Sequence, residues 1–284
     1  MNRIVTMVLK NLPVVPGAWF KLCKYAKHTD KYPELEKWRH IQYILKKAVT
    51  GGNIDLVVTG LENIPQENGF MLYGNHQGMF DVLAIAATCD APLGAVLKQE
   101  LYDVPFLHQI ALCTKSFAMD REDVRQSLTV IQNVTEEVKK GRNYLIFPEG
   151  TRSKKGNEML EFHHGTFKCV VKAKAPILPI AVIDSYKVLD QKGSDPVTMQ
   201  LHYLKPIPYE EYKTWNSEQT VRREKNKYRR LYQHFSLEQN FSEDEEQAED
   251  WMLAAQDSVV SALKTYFPEN RRKTAKRTGI RAAK

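Results

Sequence analysis

From residue 54 onward, apolar runs of strand length alternate with stretches of helical period. Strand-like runs fall at Ile54–Gly60, Gly69–Asn75, 93–98, Tyr144–Phe147, 176–183 and Val197–Leu204; helical patterns fall at 79–89, 121–140 and 166–174. This alternation restricts the chain to an α/β layer fold, because strands with two apolar faces need helices to cover them. In 121–140 the spacing predicts Val124, Leu128, Ile131, Val134 and Val138 on the inward face. The run at 176–183 contains Pro176 and Pro179, and proline lacks the N–H a ladder needs, so an edge or an end is expected for it. With 284 residues, 43% hydrophobic, the chain can bury a full core.

The flanks differ from this middle. Residues 2–28 are expected to form one or two short helices broken at Pro13 and Pro16, and 33–50 a helix with Leu35, Trp38, Ile41, Ile44 and Leu45 at helical spacing, ended by Gly51-Gly52. Residues 1–50 hold ten basic side chains against three acidic, and 270–284 hold seven basic and no acidic ones. The rest of the chain is mildly acidic. Cationic ends on an acidic body suit an anionic surface and not a body that wraps DNA, so no nucleic-acid partner is expected. Trp19 and Phe20 beside Lys21, Lys24 and Lys27 suit a helix lying in a membrane interface; packing on the domain is the plainer alternative. A C-terminal helical extension is expected over 209–284, with a helix at 249–266 and blocks of six basic (222–230) and six acidic (242–250) side chains. The division is 1–52, 53–208 and 209–284.

Four cysteines, Cys23, Cys89, Cys113 and Cys169, lie far apart without a Cys-x-x-Cys pair, so neither a zinc site nor a redox motif is expected. No cleavable signal and no run of about 18 uncharged apolar residues is visible, so neither secretion nor a spanning helix is expected.

Three segments can carry chemistry. In Asn75-His76-Gln77-Gly78-Met79-Phe80-Asp81, a strand runs into a glycine turn before a helix. On a regular helix His76 and Asp81 would stand about 140° apart. They meet only if His76 sits in the turn before the helix, where Asp81 can hold Nδ1–H and leave Nε2 as a base. Capping is the alternative use of both residues. In Phe147-Pro148-Glu149-Gly150-Thr151-Arg152-Ser153, Gly150 and Thr151 can turn the chain and Arg152 offers a planar fork for phosphate. Asp120-Arg121 can supply a second arginine, or simply start a helix with Asp120 as its N-cap.

The order and spacing of these segments resemble the lysophospholipid acyltransferase family, with its Asn-His-x-x-x-x-Asp and Phe-Pro-Glu-Gly-Thr-Arg-Ser boxes. Lys98–Phe106 and Phe162–Lys168 resemble further stretches of that family, and the likeness covers roughly 54–208. The family's second box often reads Gly-x-x-Phe-Ile-x-Arg; here Lys115 holds the glycine position and Ala118 the aromatic one. The resemblance implies a mixed α/β sheet flanked by helices, of the glycerol-3-phosphate acyltransferase type. It implies acyl transfer from a thioester, acyl-CoA or acyl carrier protein, to the sn-2 hydroxyl of 1-acyl-glycerol 3-phosphate, giving phosphatidate. It makes His76 the general base and Asp81 its support. It assigns the acceptor phosphate to Arg121 and Arg152, with Glu149, Gly150 and Thr151 beside it and Lys98 as a further candidate. It calls for no cofactor and no metal, and for a membrane surface as partner, reached as a peripheral or monotopic protein at the cytoplasmic face. Another acceptor (glycerol 3-phosphate or another lysolipid) and a non-catalytic membrane-binding scaffold are the alternatives.

Overall fold

The central strands are apolar on both faces because both faces are covered. Leu72 joins one buried cluster with Trp38, Ile41, Leu45 and Ile85, while its neighbours Met71 and Tyr73 join another with Val134, Val138 and Ile146. That is the two-residue period of a strand between two helical layers. The computed structural model describes residues 2–120, 123–160 and 162–213. The strands are β1 (Ile54–Thr59), β2 (Met71–Gly74), β3 (Leu93–Lys98), β4 (Phe117–Met119), β5 (Asn143–Ile146), β6 (Ile177–Ile183) and β7 (Val197–Tyr203). The helices are α1 (Arg3–Lys10), α2 (Val15–Lys27), α3 (Glu34–Gly51), α4 (Asp81–Thr88), α5 (Gln99–Tyr102), α6 (Pro105–Thr114), α7 (Val124–Lys139), α8 (Lys168–Ala173), α9 (Tyr186–Leu189) and α10 (Tyr209–Tyr212). The sheet order is β1-β7-β6-β2-β5-β3-β4. Every pairing is parallel except β6 with β7, so the sheet is mixed, as the resemblance implied.

Four expectations need correction. β6 is not an edge strand: it lies between β7 and β2 and is buried throughout. Its Pro179 falls between the isolated Ile177–Ile207 bridge and the start of the β7 ladder at Ile180, where no N–H donor is called for, and its carbonyl still accepts from the Leu204 N–H at 2.9 Å. α7 starts at Val124, capped by Asp123 and not Asp120; the Asp123 carboxylate accepts from the N–H groups of Arg125 and Gln126. Leu128 on α7 is exposed, and the inward face runs through Val130, Val134 and Val138 instead. Pro16 does not break a helix but stands in the first turn of α2, where its missing N–H has no partner to lose. The sequence reading also passed over α6 and the three-residue β4. Between them Lys115 adopts a left-handed φ of 54° as the C-cap of α6. Glycine takes that conformation freely, so the Lys115 departure is one of backbone cost.

α3 fulfils most of its pattern, with Trp38, Ile41 and Leu45 buried, although Leu35 is exposed. α1 is turned inside out. Arg3 and Thr6 are buried, and the Arg3 guanidinium donates to the carbonyls of Val188, Gly52 and Asp195 at 2.8, 2.7 and 2.8 Å. Its apolar residues Ile4, Val5, Val8 and Leu9 face outward. No described helix is long and apolar enough to cross a membrane. The expected extension beyond α10, including the helix at 249–266, lies outside the described residues.

Candidate active site

Sheet register brings together what the sequence separates. β2 pairs in parallel with both β5 and β6, with Tyr73 opposite Ile146 and Pro179. The segments following all three strands therefore leave the sheet at one edge, the carboxyl edge where α/β folds place their sites. Those segments are Asn75–Asp81, Phe147–Ser153 and Asp184–Asp190. Asn75 fastens the first to the end of β6: its side chain donates to and accepts from the backbone of Val182, both at 2.8 Å.

His76 lies in the turn after β2, and Asp81 is the first residue of α4. His76 Nδ1 stands 2.6 Å from Asp81 Oδ2. Asp81 is fully buried and also accepts from the N–H groups of Gln77 (2.7 Å) and Gly78 (3.1 Å). A carboxylate so placed only accepts, so the proton of the first bond belongs to Nδ1, and Nε2 carries the lone pair. The ring stacks on Phe147 at 4.1 Å between centroids and is 16% exposed. It is fixed on one side and reachable on the other. Gly78 keeps the turn tight: a Cβ there would stand 2.9 Å from Asp190 Oδ2 and 3.0 Å from the Ser185 carbonyl oxygen.

The second box wraps this turn. Glu149 is buried, and each of its oxygens is taken by a backbone N–H: Oε1 by His76 at 2.8 Å, Oε2 by Leu160 at 3.0 Å. Burial raises its pKa, opposed by those two hydrogen bonds and by His76. Its carboxylate thus brackets the His76 turn through both of its oxygens. The Ser153 N–H donates to the His76 carbonyl at 2.9 Å, closing a second tie. Gly150 turns the chain with a φ of 67°, and Thr151 is exposed beside it.

Arg152 is half-buried and ion-paired with Asp190, whose other oxygen accepts from the Met79 N–H at 3.1 Å. Lys98, at the end of β3, is exposed and ion-paired with Glu100 at 2.6 Å. β3 is two positions from β2 in the sheet, about 10 Å away at ordinary strand spacing, so Lys98 lies at the site's margin. Arg121 lies outside the described residues; β4, which ends two residues before it, runs parallel to β3.

A polar chain behind His76 went unread in the sequence. Gln77 Nε2 donates to Asn157 Oδ1 at 2.9 Å, Asn157 donates to Asp184 at 3.1 Å, and Gln77 Oε1 accepts from the Ser185 N–H at 3.1 Å. Asn157 has no local signal, because its partners are 80 and 27 residues away. Among the described residues no cluster of three or more His, Cys, Asp or Glu side chains is arranged to hold a metal ion.

A histidine at the carboxyl edge, its Nδ1 held by a buried aspartate and its turn bracketed by a buried glutamate, is equipped to act as a general base. Residues 55–183 match the family model described as Acyltransferase. Named relatives narrow the likeness. A 1-acyl-sn-glycerol-3-phosphate acyltransferase of Pseudomonas aeruginosa is 36% identical over 148 residues, 52% of this chain and 56% of that protein. One from Saccharomyces cerevisiae is 28% identical over 172 residues, 59% of this chain and 56% of that one. The chain thus spans about half the length of the curated relatives it matches. In fold it is similar to the crystal structure of the 1-acyl-sn-glycerophosphate (LPA) acyltransferase PlsC from Thermotoga maritima. The TM-score is 0.61 at 23% identity, over 85% of this chain and 97% of that one.

Proposed function

We propose that this protein transfers an acyl group from acyl-CoA or an acyl carrier protein thioester to the sn-2 hydroxyl of 1-acyl-glycerol 3-phosphate, forming phosphatidate. The observation that carries the reading is the His76–Asp81 pair, with Nδ1 held by the buried carboxylate, Nε2 left as the base and the side chain 16% exposed. An alcohol is far too weak an acid to be ionised by imidazole beforehand, so Nε2 takes the proton as the hydroxyl oxygen attacks the thioester carbonyl. Asp81 steadies the imidazolium formed. Collapse of the tetrahedral intermediate breaks the C–S bond, and the departing thiolate recovers the proton from Nε2–H. The His76 box contains no Ser or Cys, which favours direct transfer without an acyl-enzyme. Arg152 binds the acceptor phosphate by exchanging Asp190 for it, with Gly150 and Thr151 alongside and Arg121 as a second guanidinium. Lys98 assists at the margin, and Glu149 positions His76 from behind.

The inverted α1 supports docking on a bilayer as a peripheral or monotopic protein. Its buried guanidinium holds it on the domain while Ile4, Val8 and Leu9, with Phe20 of α2, face the membrane interface. Lys10, Lys24 and Lys27 suit acidic lipid, which is the reason for assigning the cytoplasmic face.

The test is product identification by mass spectrometry, with an oleoyl thioester as donor. Lysophosphatidate, glycerol 3-phosphate and a lyso-aminolipid are compared as acceptors. Phosphatidate is expected from lysophosphatidate at the highest kcat/KM. A preference for either other acceptor overturns the substrate assignment.

A further inference from the structure

Away from the catalytic edge, α2 and α3 flank an open groove of about 840 Å³ whose lining contains none of the residues assigned to acyl transfer. Its size falls within the roughly 300–1,000 Å³ of ordinary small-molecule sites. Val14, Gly17 and Lys21 supply one wall at helical spacing, and Leu35, Arg39 and Tyr43 the other. We propose that this groove holds one molecule of an acidic glycerophospholipid, with an acyl chain along Val14, Gly17, Leu35 and Tyr43 and its phosphate held by Lys21 and Arg39.

Charge favours that occupant. Neither Lys21 nor Arg39 forms an ion pair among the described residues. The one acid in the lining, Glu36, accepts the hydroxyl of Tyr25 at 2.6 Å. His40 is turned inward, its Nε2 3.0 Å from the Ala18 carbonyl oxygen. Lys21 lies over the Tyr25 ring at 5.5 Å, and with Arg39 it gives the apolar groove two cations without a carboxylate partner, which match a phosphate joined to a hydrocarbon chain. Gly17 makes room for the chain, since a Cβ at that position would meet nothing within 4 Å.

Continuity favours it too. Leu35 and Tyr43 are exposed as well as lining the groove. The Tyr43 ring lies under Lys47, and the Lys47 carbonyl accepts from Asn11 at the end of α1 at 2.9 Å. The α3 wall of the groove therefore continues into the turn of α3 against which the end of α1 packs. A lipid seated in it would join the protein to the bilayer at a fixed point, whereas the α1 face binds without choosing a headgroup. The inference rests on the membrane docking proposed above, and the two are separated by different readouts.

The experiment uses the full chain with phosphatidylcholine vesicles made with or without phosphatidylglycerol. Co-sedimentation reads docking; native mass spectrometry after detergent extraction reads phosphatidylglycerol retained on the protein. The wild type is expected to co-sediment and to retain one phosphatidylglycerol per chain. Gly17→Leu fills the groove, and the double change Lys21→Gln, Arg39→Gln removes its cations. Both are expected to keep the wild-type melting temperature and to lower retention by about tenfold or more, the worth of one charge-assisted hydrogen bond. Retention by Gly17→Leu equal to the wild type overturns the groove. So does equal retention of phosphatidylcholine, or a wild type that co-sediments and retains neither lipid. A wild type that retains phosphatidylglycerol but does not co-sediment overturns the docking reading and leaves the groove standing.

Discussion

Glu149→Gln separates two roles that one side chain in this position can have. As a bracket, Glu149 accepts from two backbone N–H groups, one of them on His76 itself. Glutamine has the same shape but only one acceptor oxygen. Its NH₂ must therefore face either the His76 or the Leu160 N–H, donor against donor. Leaving a buried donor without an acceptor costs about 1–3 kcal/mol. For a domain of this size that is a fall in melting temperature of roughly 2–12 °C, at about 2–4 °C per kcal/mol. Displacement of the turn that carries His76 acts on the chemistry as well, where a shift of about 1 Å can reduce turnover on the order of 100-fold. The assay is a thermal melt together with kcat and KM for lysophosphatidate. A lower melting temperature and a lower kcat, with KM little changed, is the expected outcome. A raised KM with undiminished kcat and an unchanged melt would make Glu149 a phosphate contact and refute the bracket.

Other consequences are as direct. Arg152→Gln should raise KM for lysophosphatidate by roughly 10–100-fold, the worth of a charge-assisted hydrogen bond, and leave kcat nearly intact; Asp190→Asn, which keeps an acceptor for the Met79 N–H while freeing Arg152, should lower KM in the same assay. His202 is buried on β7, and desolvation depresses its pKa to about 4. The unfolded chain therefore binds a proton that the folded one refuses between about pH 6.5 and 4, and stability falls as pH drops through that window by up to about 3 kcal/mol. Urea unfolding of the wild type against His202→Gln across that range should show the difference, and parallel curves would refute it. Leu9→Asp, on the outward face of α1 where Leu9 is 50% exposed, should weaken vesicle binding without lowering the melting temperature.

Much of the site was legible because its two boxes are contiguous strings, each following a buried strand. His76 with Asp81, and the turn at Gly150, need only local geometry, and the structure supplies it. The contacts of Glu149 were not legible because they depend on register: only when β2 lies beside β5 does its carboxylate reach the His76 N–H. Asn157 and Asp190 meet the His76 turn through the pairing of β2 with β6 and carry no local pattern. Pro179 misled for a related reason, since an interior strand tolerates proline exactly where one neighbour's ladder lapses, and that lapse is a property of the β7 chain. Leu128 was assigned inward by a five-residue series whose phase drifts; Val130, Val134 and Val138 hold the true inward line. At the N-terminus the apolar and basic residues of α1 were visible, but not which face the domain would claim. Burial of Arg3 decided that, through three carbonyls 49 to 192 residues away or nearby in space only after folding.

His76 carries the proposed chemistry, so the most direct measurement is the rate of phosphatidate formation by His76→Ala beside the wild type, with folding checked by melt. Asp81 keeps its two backbone donors in that variant, so the fold is expected to stand. Loss of a general base is worth on the order of 100-fold or more in turnover, and a loss of that size in a folded protein is the predicted result. Undiminished turnover by folded His76→Ala would contradict it and remove His76 from the reaction.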